Sequence, residues 1–513
     1  MATAAIKPSA EAACRLCRGR AVKTESQWLK AKKFMGFLNF FKTSAPAPLR
    51  TDLDEQGQKK YHKSLAFQSF VAGTLGYSFY YVCRAALNVM KKPIIDSGLL
   101  DADQLGTIGA VTLAAYAIGK FVNGFLADHS NIKRFMATGL IISALACFLM
   151  GIFGLTGSEQ YTALIGVDPA QAKSISFMVF IAFAILWGLS GWGQSMGAPP
   201  AIIALSRWFP LSRRGTFYGF FSASHNLGEG LSFIFVGSIV AYAGWQWGFF
   251  GAAIAGLIGI LIIIFLMHDT PESKGLPSIE VLTGEKVEVK KNDDDGSAGA
   301  AQKLALKTPA VWILALASAF MYISRYSLNS WGVLFMQETK GYSLMEASTI
   351  ISINAWLGIV GTVVAGWMSD VLFKGDRKMP AFVSGILLSI SYAMFIYGGN
   401  AYWVSVLSMA LFGIAIGVLI AFLGGLMAVD IVPRKATGAA LGIVGMVSYA
   451  AASIQEKVSG YLVNSNITET VNELGEVVKT YDFSSAAIFW IGASVISFLL
   501  PMLTWGKKRV EEE

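Results

Sequence analysis

The sequence is short of charge and short of the usual chemistry. Only 14% of its 513 residues are Asp, Glu, Lys or Arg, where a soluble domain carries about 25%. Too few charges are present to cover a soluble surface, which excludes a cytosolic enzyme and a disordered chain. Cysteine is scarce as well: the four residues, Cys14, Cys17, Cys83 and Cys147, make no disulfide framework of the secreted kind. Cys14 and Cys17 form one CxxC without a second ligand pair, and Cys83 and Cys147 lie in apolar segments as small hydrophobes. The chain has no Walker A loop, no metal-ligand cluster and no nucleophile elbow. It therefore calls for no cofactor, no metal and no enzymatic activity, and nucleotide-driven pumping has no motif to carry it.

What the sequence has instead is apolar length. Hydrophobic residues make up 54% of it, and the mean hydropathy is +0.54. A helix crosses a bilayer with about 20 apolar residues, and about twelve such runs occur. Six lie near 66–90, 104–127, 135–156, 175–204, 215–241 and 246–267; six more lie near 311–337, 347–372, 380–398, 402–430, 436–464 and 484–505. Between the sets runs a polar stretch with Lys290-Lys291 and Asp293-Asp294-Asp295, the composition of a flexible linker. The chain thus reads as an all-α membrane protein of twelve transmembrane helices in two six-helix halves. Its expected parts are a tail over 1–65, a bundle over 66–267, a linker over 268–310, a bundle over 311–505 and a tail over 506–513. Residues 28–42 are either a basic interfacial helix or a mobile tail. No cleavable signal peptide is evident, since the first apolar run starts late and is too long; Met35 offers an alternative start.

Orientation follows from basic residues in short loops. Lys133-Arg134, Arg207, Arg213-Arg214, Lys374, Arg377-Lys378, Arg434-Lys435 and Lys507-Lys508-Arg509 gather on one side, with the linker and the N-terminus. The other side holds Lys91, Lys92, Lys173, Lys340 and Lys479 among many carboxylates. Both termini are expected in the cytoplasm. The net charge of +8 then reflects membrane topology, with the bilayer and not nucleic acid as the partner.

The halves repeat each other. Tyr81-Val-Cys-Arg84 with Asn88 returns as Tyr322-Ile-Ser-Arg325 with Asn329; Gly124-Phe-Leu-Ala-Asp128 returns as Gly366-Trp-Met-Ser-Asp370; Arg213-Arg-Gly-Thr216 returns as Arg434-Lys-Ala-Thr437. Three matches in one order indicate two parallel halves with a site between them at mid-membrane.

Arg84 and Arg325 stand inside apolar spans, where a charge costs at least about 2.5–3.5 kcal/mol and must face a compensating interior. Helices 1 and 7 offer them no carboxylate. Two guanidiniums facing each other present forked donors to a phosphate, in a geometry that Lys does not reproduce. Lys120 is a third cation inside a span, either facing the cavity or snorkelling to an interface. His225 is placed to donate to a substrate oxygen or to serve structurally. Glu229, one turn on, is expected to pair with His225 or Lys120, in preference to joining proton-linked coupling; its neutralisation is expected to change substrate choice little, with pH dependence as the property open to change. Glu456-Lys457 is expected to be structural, as an adjacent pair of opposite sign, in preference to a ligand contact for substrate hydroxyls; adjacent helical residues do not share a face, however, so each is expected to need its own partner. Asp128 and Asp370 read as gating residues before basic loops. Gly197-Ala-Pro-Pro200 is expected to break its helix.

With Arg213-Arg-Gly-Thr-Phe-Tyr-Gly219, Ser224-His-Asn-Leu-Gly228, Asp269-Thr-Pro-Glu-Ser-Lys-Gly-Leu276 and Tyr116-Ala-Ile-Gly-Lys120, the sequence resembles the organophosphate:phosphate antiporters of the major facilitator superfamily over roughly 60–505. The resemblance implies that Arg84 and Arg325 bind phosphate, and that Lys120, His225, Tyr81, Tyr116, Tyr322 and Tyr449 line the cavity. It further implies exchange of a sugar phosphate, most readily glucose 6-phosphate, for inorganic phosphate by a monomer in a bacterial inner membrane. The alternatives within it are a glycerol-3-phosphate or phosphoglycerate:phosphate antiporter and a membrane sensor of external hexose phosphate. Leu441, Val444 and Glu229 depart from the family pattern, at the sugar end of the pocket and not at the phosphate end.

Overall fold

The computed structural model describes residues 39–283, 303–373, 376–432, 436–471 and 477–506. Cys14, Cys17, nearly all of the expected interfacial segment 28–42, the Lys290-Lys291 and Asp293-Asp294-Asp295 runs and Arg434-Lys435 lie outside the described residues.

Each apolar run lies on a helix. The first half holds α1 (Glu55–Asp96), α2 (Ala102–Asp128), α3 (Ile132–Leu164), α4 (Pro169–Trp208), α5 (Thr216–Ala243) and α6 (Trp245–Leu266). The second holds α7 (Pro309–Lys340), α8 (Leu344–Trp367), α9 (Lys378–Tyr397), α10 (Tyr402–Val429), α11 (Thr437–Ser465) and α12 (Ser484–Thr504). Among the described residues, 11 of these helices are long and apolar enough to cross a membrane. The exception, α1, has 42 residues, about 63 Å at 1.5 Å each. Tyr77, Tyr81 and Arg84 lower its hydropathy, as befits a helix with a polar inner face.

Local sequence sets the helix starts. Asp54, Asn131 and Asp168 accept from backbone amides of the first turns of α1, α3 and α4. Capping boxes, Asp101 with Gln104 and Ser343 with Glu346, open α2 and α8. The expected break in α4 falls at Ser195–Gly197: one helical segment ends at Gln194 and the next starts at Ala198 with prolines in its first turn. The connection between α11 and α12 carries a feature the sequence reading did not contain, an antiparallel hairpin of β1 (Ile467–Val471) and β2 (Val477–Tyr481).

The halves meet where α2 packs on α11, α5 on α8 and α1 on α7. At the end that bears the hairpin they touch closely. A methyl added to Gly106 on α2 would lie 2.6 Å from the Glu456 carbonyl oxygen and 2.9 Å from the Gly460 Cα on α11. Such a crossing needs glycine on both helices. Further along the same two helices, a methyl at Gly124, Gly438 or Gly442 would meet nothing within 4 Å. The halves are thus closed at the hairpin end and parted at the linker end, which carries the α2–α3 and α6–α7 connections.

At the linker end an ion pair holds each half together: Arg207 with Asp269 at 2.5 Å, and Arg377 with Asp430 at 2.7 Å. Asp269 also accepts from the backbone amides of Ser44 and Ile132, which gives the Asp269-Thr-Pro-Glu motif a structural task. Overpacking costs about 1–3 kcal/mol. Gly106→Ala is expected to lower the detergent melting temperature by several degrees, whereas Gly492→Ala, with open space around it, should melt with the wild type. Equal melting of both variants would refute the close crossing.

Candidate functional site

The repeat brings Arg84 on α1 and Arg325 on α7 to one aromatic cluster. The Arg84 guanidinium carbon lies 4.6 Å from the Tyr81 ring and 4.0 Å from the Tyr116 ring. Arg325 lies 5.8 Å from the Tyr326 ring. Tyr449 on α11 is the hub: its ring is 4.6 Å from Tyr116, 5.3 Å from Tyr322 and 6.2 Å from Tyr326. Lys120 is solvent-exposed in the opening toward the linker end, with its ammonium 5.0 Å from the Tyr449 ring. His225 on α5 closes the group, its ring 5.7 Å from that of Tyr81. Four helices of the two halves, α1, α2, α7 and α11, therefore contribute to one mid-membrane cluster with α5 beside it. Delocalised guanidinium cations suit such rings, because the ring faces are electron-rich.

The two arginines are not equivalent. Arg84 donates through Nε to the Gln194 side-chain oxygen at 2.7 Å. Gln194 is itself oriented by donating to Ser190 at 2.9 Å. Both Nη atoms of Arg84 are buried and lack a hydrogen-bond partner, as does Nε2 of His225. Unmade hydrogen bonds of this kind cost about 1–3 kcal/mol each, more for charged groups. Arg325, 5% exposed, is engaged. Its Nη2 donates to Glu229 at 3.1 Å, and Asn329 donates to the other Glu229 oxygen at 2.9 Å. Asn354 on α8 donates in turn to Asn329 at 3.1 Å.

This corrects two expectations, for Glu229 and for Lys91, and supplies the separate partners of Glu456 and Lys457. Glu229 pairs with Arg325, not with His225 or Lys120, because the carboxylate that helices 1 and 7 lack reaches Arg325 from α5. Glu456 and Lys457 each have a partner of their own, as expected of adjacent residues, which point to different faces of a helix. Glu456 accepts from Lys91 at 3.0 Å and Lys457 from its own face donates to both oxygens of Asp103 at 2.6 Å. Lys91 is no loop residue either: it is 1% exposed, donates to Ser330 at 2.5 Å and lies 3.6 Å from the Trp331 ring. These pairs link α1, α2 and α11 just toward the hairpin end from the cluster.

The gating candidates stand apart from the cluster. Asp128 is the exposed last residue of α2, and its carbonyl accepts from Arg207 at 3.5 Å. Asp370 lies on a short π-helical turn over Met368–Leu372, and its side chain lies outside the described residues. Sequence reasoning missed Gln194, Tyr326 and Asn329. Tyr326 and Asn329 share α7 with Arg325 and were findable as polar residues on a cavity-lining span. Gln194 carried no signal beyond its position beside the α4 break. Among the described residues no group of three or more His, Cys, Asp or Glu could hold a metal ion.

The Major Facilitator Superfamily model matches residues 73–455. A probable hexose phosphate transport protein of Chlamydia pneumoniae is 30% identical over 90% of this chain and 95% of its own length. The glycerol-3-phosphate transporter of Bacillus subtilis is 30% identical over 92% of this chain and 99% of its own. In fold, the chain is similar to a bacterial homologue of the human lysosomal transporter Spinster in an inward-facing, unoccupied conformation, with a TM-score of 0.65 at 16% identity over 88% of this chain and all of that one.

Removing one partner of a buried ion pair strands the other and costs about 3–5 kcal/mol, whereas removing both costs far less. Lys91→Met and Glu456→Gln should each lower the unfolding midpoint in detergent, and the double variant should recover most of the loss. Additive losses would show that the pair does not form.

Proposed function

The chain belongs to the Major Facilitator Superfamily and, within it, to the organophosphate:phosphate antiporters, and from that premise we propose that it exchanges a sugar phosphate, first of all glucose 6-phosphate, for inorganic phosphate. It is a multi-pass membrane transporter of organophosphates and not an enzyme. The exchange itself, the choice of ester and the orientation are the proposal. One observation supports the phosphate reading above others: two buried guanidinium nitrogens of Arg84 have no partner. A tetrahedral dianion supplies the acceptors for which those donors are prepared.

Each residue has a part in this reading. Arg84 takes the phosphate through its free Nη pair, with Gln194 holding the guanidinium plane. Lys120 adds long-range attraction at the open mouth. Arg325 completes the grip from the other half. Tyr81, Tyr116, Tyr322 and Tyr449 supply rings for the sugar face and hydroxyls for its oxygens, and His225 offers a further nitrogen. Asp128 and Asp370 serve at the linker end as that end opens and closes. With the linker end in the cytoplasm, as the basic loops indicate, the present arrangement is inward-open. Alternating access then requires the hairpin-end contacts to part while the linker end closes. The bacterial inner membrane and a functional monomer complete the proposal.

The test is phosphate exchange in proteoliposomes loaded with inorganic phosphate and given radiolabelled phosphate outside. Glucose 6-phosphate should compete, unphosphorylated glucose should not, and glycerol 3-phosphate serves as the alternative ester. Arg84→Lys and Arg325→Lys should each reduce exchange to background while the protein stays folded in the membrane. Near-normal exchange by either variant would sink the shared phosphate site. Binding of a sugar phosphate without exchange would favour the sensor.

A further inference from the structure

The site holds one carboxylate among its cations, and that carboxylate comes from the half opposite the arginine it neutralises. Glu229 on α5 binds Arg325 and Asn329 on α7 with one oxygen each. It is 7% exposed, and both its partners are buried. Arg84, Lys120 and Arg325 are the cations of the cluster; with His225 counted neutral, Glu229 leaves the site a formal charge of two. The Lys91–Glu456 and Lys457–Asp103 pairs toward the hairpin end are each neutral and do not alter that sum.

We infer that Glu229 is a specificity residue, one that matches the site to doubly charged phosphomonoesters and rejects ligands bearing a carboxylate as well as a phosphate. The inference rests on the organophosphate reading above. A phosphate monoester carries about −1.5 to −2 at neutral pH, so one such ligand neutralises the site. A phosphorylated carboxylic acid carries about one charge more. Its carboxylate meets a position already taken, because Glu229 already accepts from Nη2 of Arg325 and from the Asn329 amide. Placing a second carboxylate there sets like charges side by side in a desolvated space, where the repulsion is far stronger than in water. Specificity here comes from a built-in repulsive element as much as from attraction. The partner found for Glu229 thus reverses the expectation drawn from the sequence, that neutralising it would leave substrate choice alone.

Glycerol 3-phosphate and 3-phosphoglycerate provide the test, since they differ by a carboxylate in place of a hydroxymethyl group. Each is used to inhibit exchange of radiolabelled phosphate at pH 8, in wild type, Glu229→Gln and Glu229→Asp. The wild type should be inhibited more strongly by glycerol 3-phosphate. Glu229→Gln should shift the ratio of inhibition constants toward 3-phosphoglycerate by about tenfold or more, and Glu229→Asp should keep the wild-type preference. An unchanged ratio in Glu229→Gln overturns the inference. So does a wild type that prefers 3-phosphoglycerate, a result that stands even if Glu229→Gln does not fold. Should the wild type show no exchange at all, the antiport reading fails separately, and calorimetric binding of the same two esters decides the role of Glu229.

Discussion

A guanidinium buried at mid-membrane with two nitrogens unsatisfied is the constraint on which the rest of this molecule depends. Arg84 cannot be there at low cost: its charge has left water, and its own helix supplies no counter-ion. What makes it tolerable is its surroundings. Two tyrosine rings face the guanidinium, and Gln194 accepts from Nε. Two donors, both Nη atoms, remain buried without a hydrogen-bond partner. The rings and the glutamine hold the group rigid. That rigidity comes from four helices of the first half: α1 bears the arginine, α2 bears Tyr116, α4 bears Gln194, and α5 bears His225 beside Tyr81.

The second constraint is that the cluster lies between two halves, which the proposed alternating access requires to move apart. The contacts that join them near the hairpin end are of two kinds. The Gly106–Gly460 crossing is a close approach of two backbones, effective only at full contact. The Lys91–Glu456 pair is a buried charge interaction, further supported by Ser330 and Trp331. A dry ion pair is stable while both partners are present, yet water can replace each partner when the helices separate. A contact of that sort is firm when closed and does not forbid opening. A continuous apolar seam of the same area would lose its stabilisation only to hydrocarbon or water, with no polar groups to be resolvated. The pair thus suits an interface that alternates between two packings.

Much of this was legible in the sequence because membranes punish polar groups. Twelve apolar runs predicted the helices, and Arg84 and Arg325 stood out because nothing around them in sequence explained them. The repeat tied them together. The same reasoning failed wherever a partner came from a distant helix. Glu229 offered a same-face neighbour in His225, whereas its real partner is 96 residues away on α7. Glu456 and Lys457 were expected to need a partner each, but those partners lie 365 and 354 residues away and could not be named from the sequence. Lys91 looked like a loop residue because it follows the apolar run; α1 simply continues past it to Asp96. Periodicity reports the helix, and only the packing of helices reports which faces meet.

Internal symmetry in sequence also fails to predict symmetry in electrostatics. Arg84 and Arg325 occupy matching positions in the repeat, each with Asn four residues later. Their partners differ: a neutral amide holds Arg84 through Nε, while a carboxylate from the opposite half holds Arg325 through Nη2. In the proposed function a ligand anion would therefore meet two different arginines. At Arg84 it would find two donors without a partner. At Arg325 it would share or displace the Glu229 carboxylate already in place, so that only the difference between two anions would be gained. Because Glu229 and Arg325 belong to opposite halves, that difference is also felt by the contact between the halves. On the proposed function, binding and movement would thereby be linked at this one residue pair, while the donors of Arg84 stay within the first half.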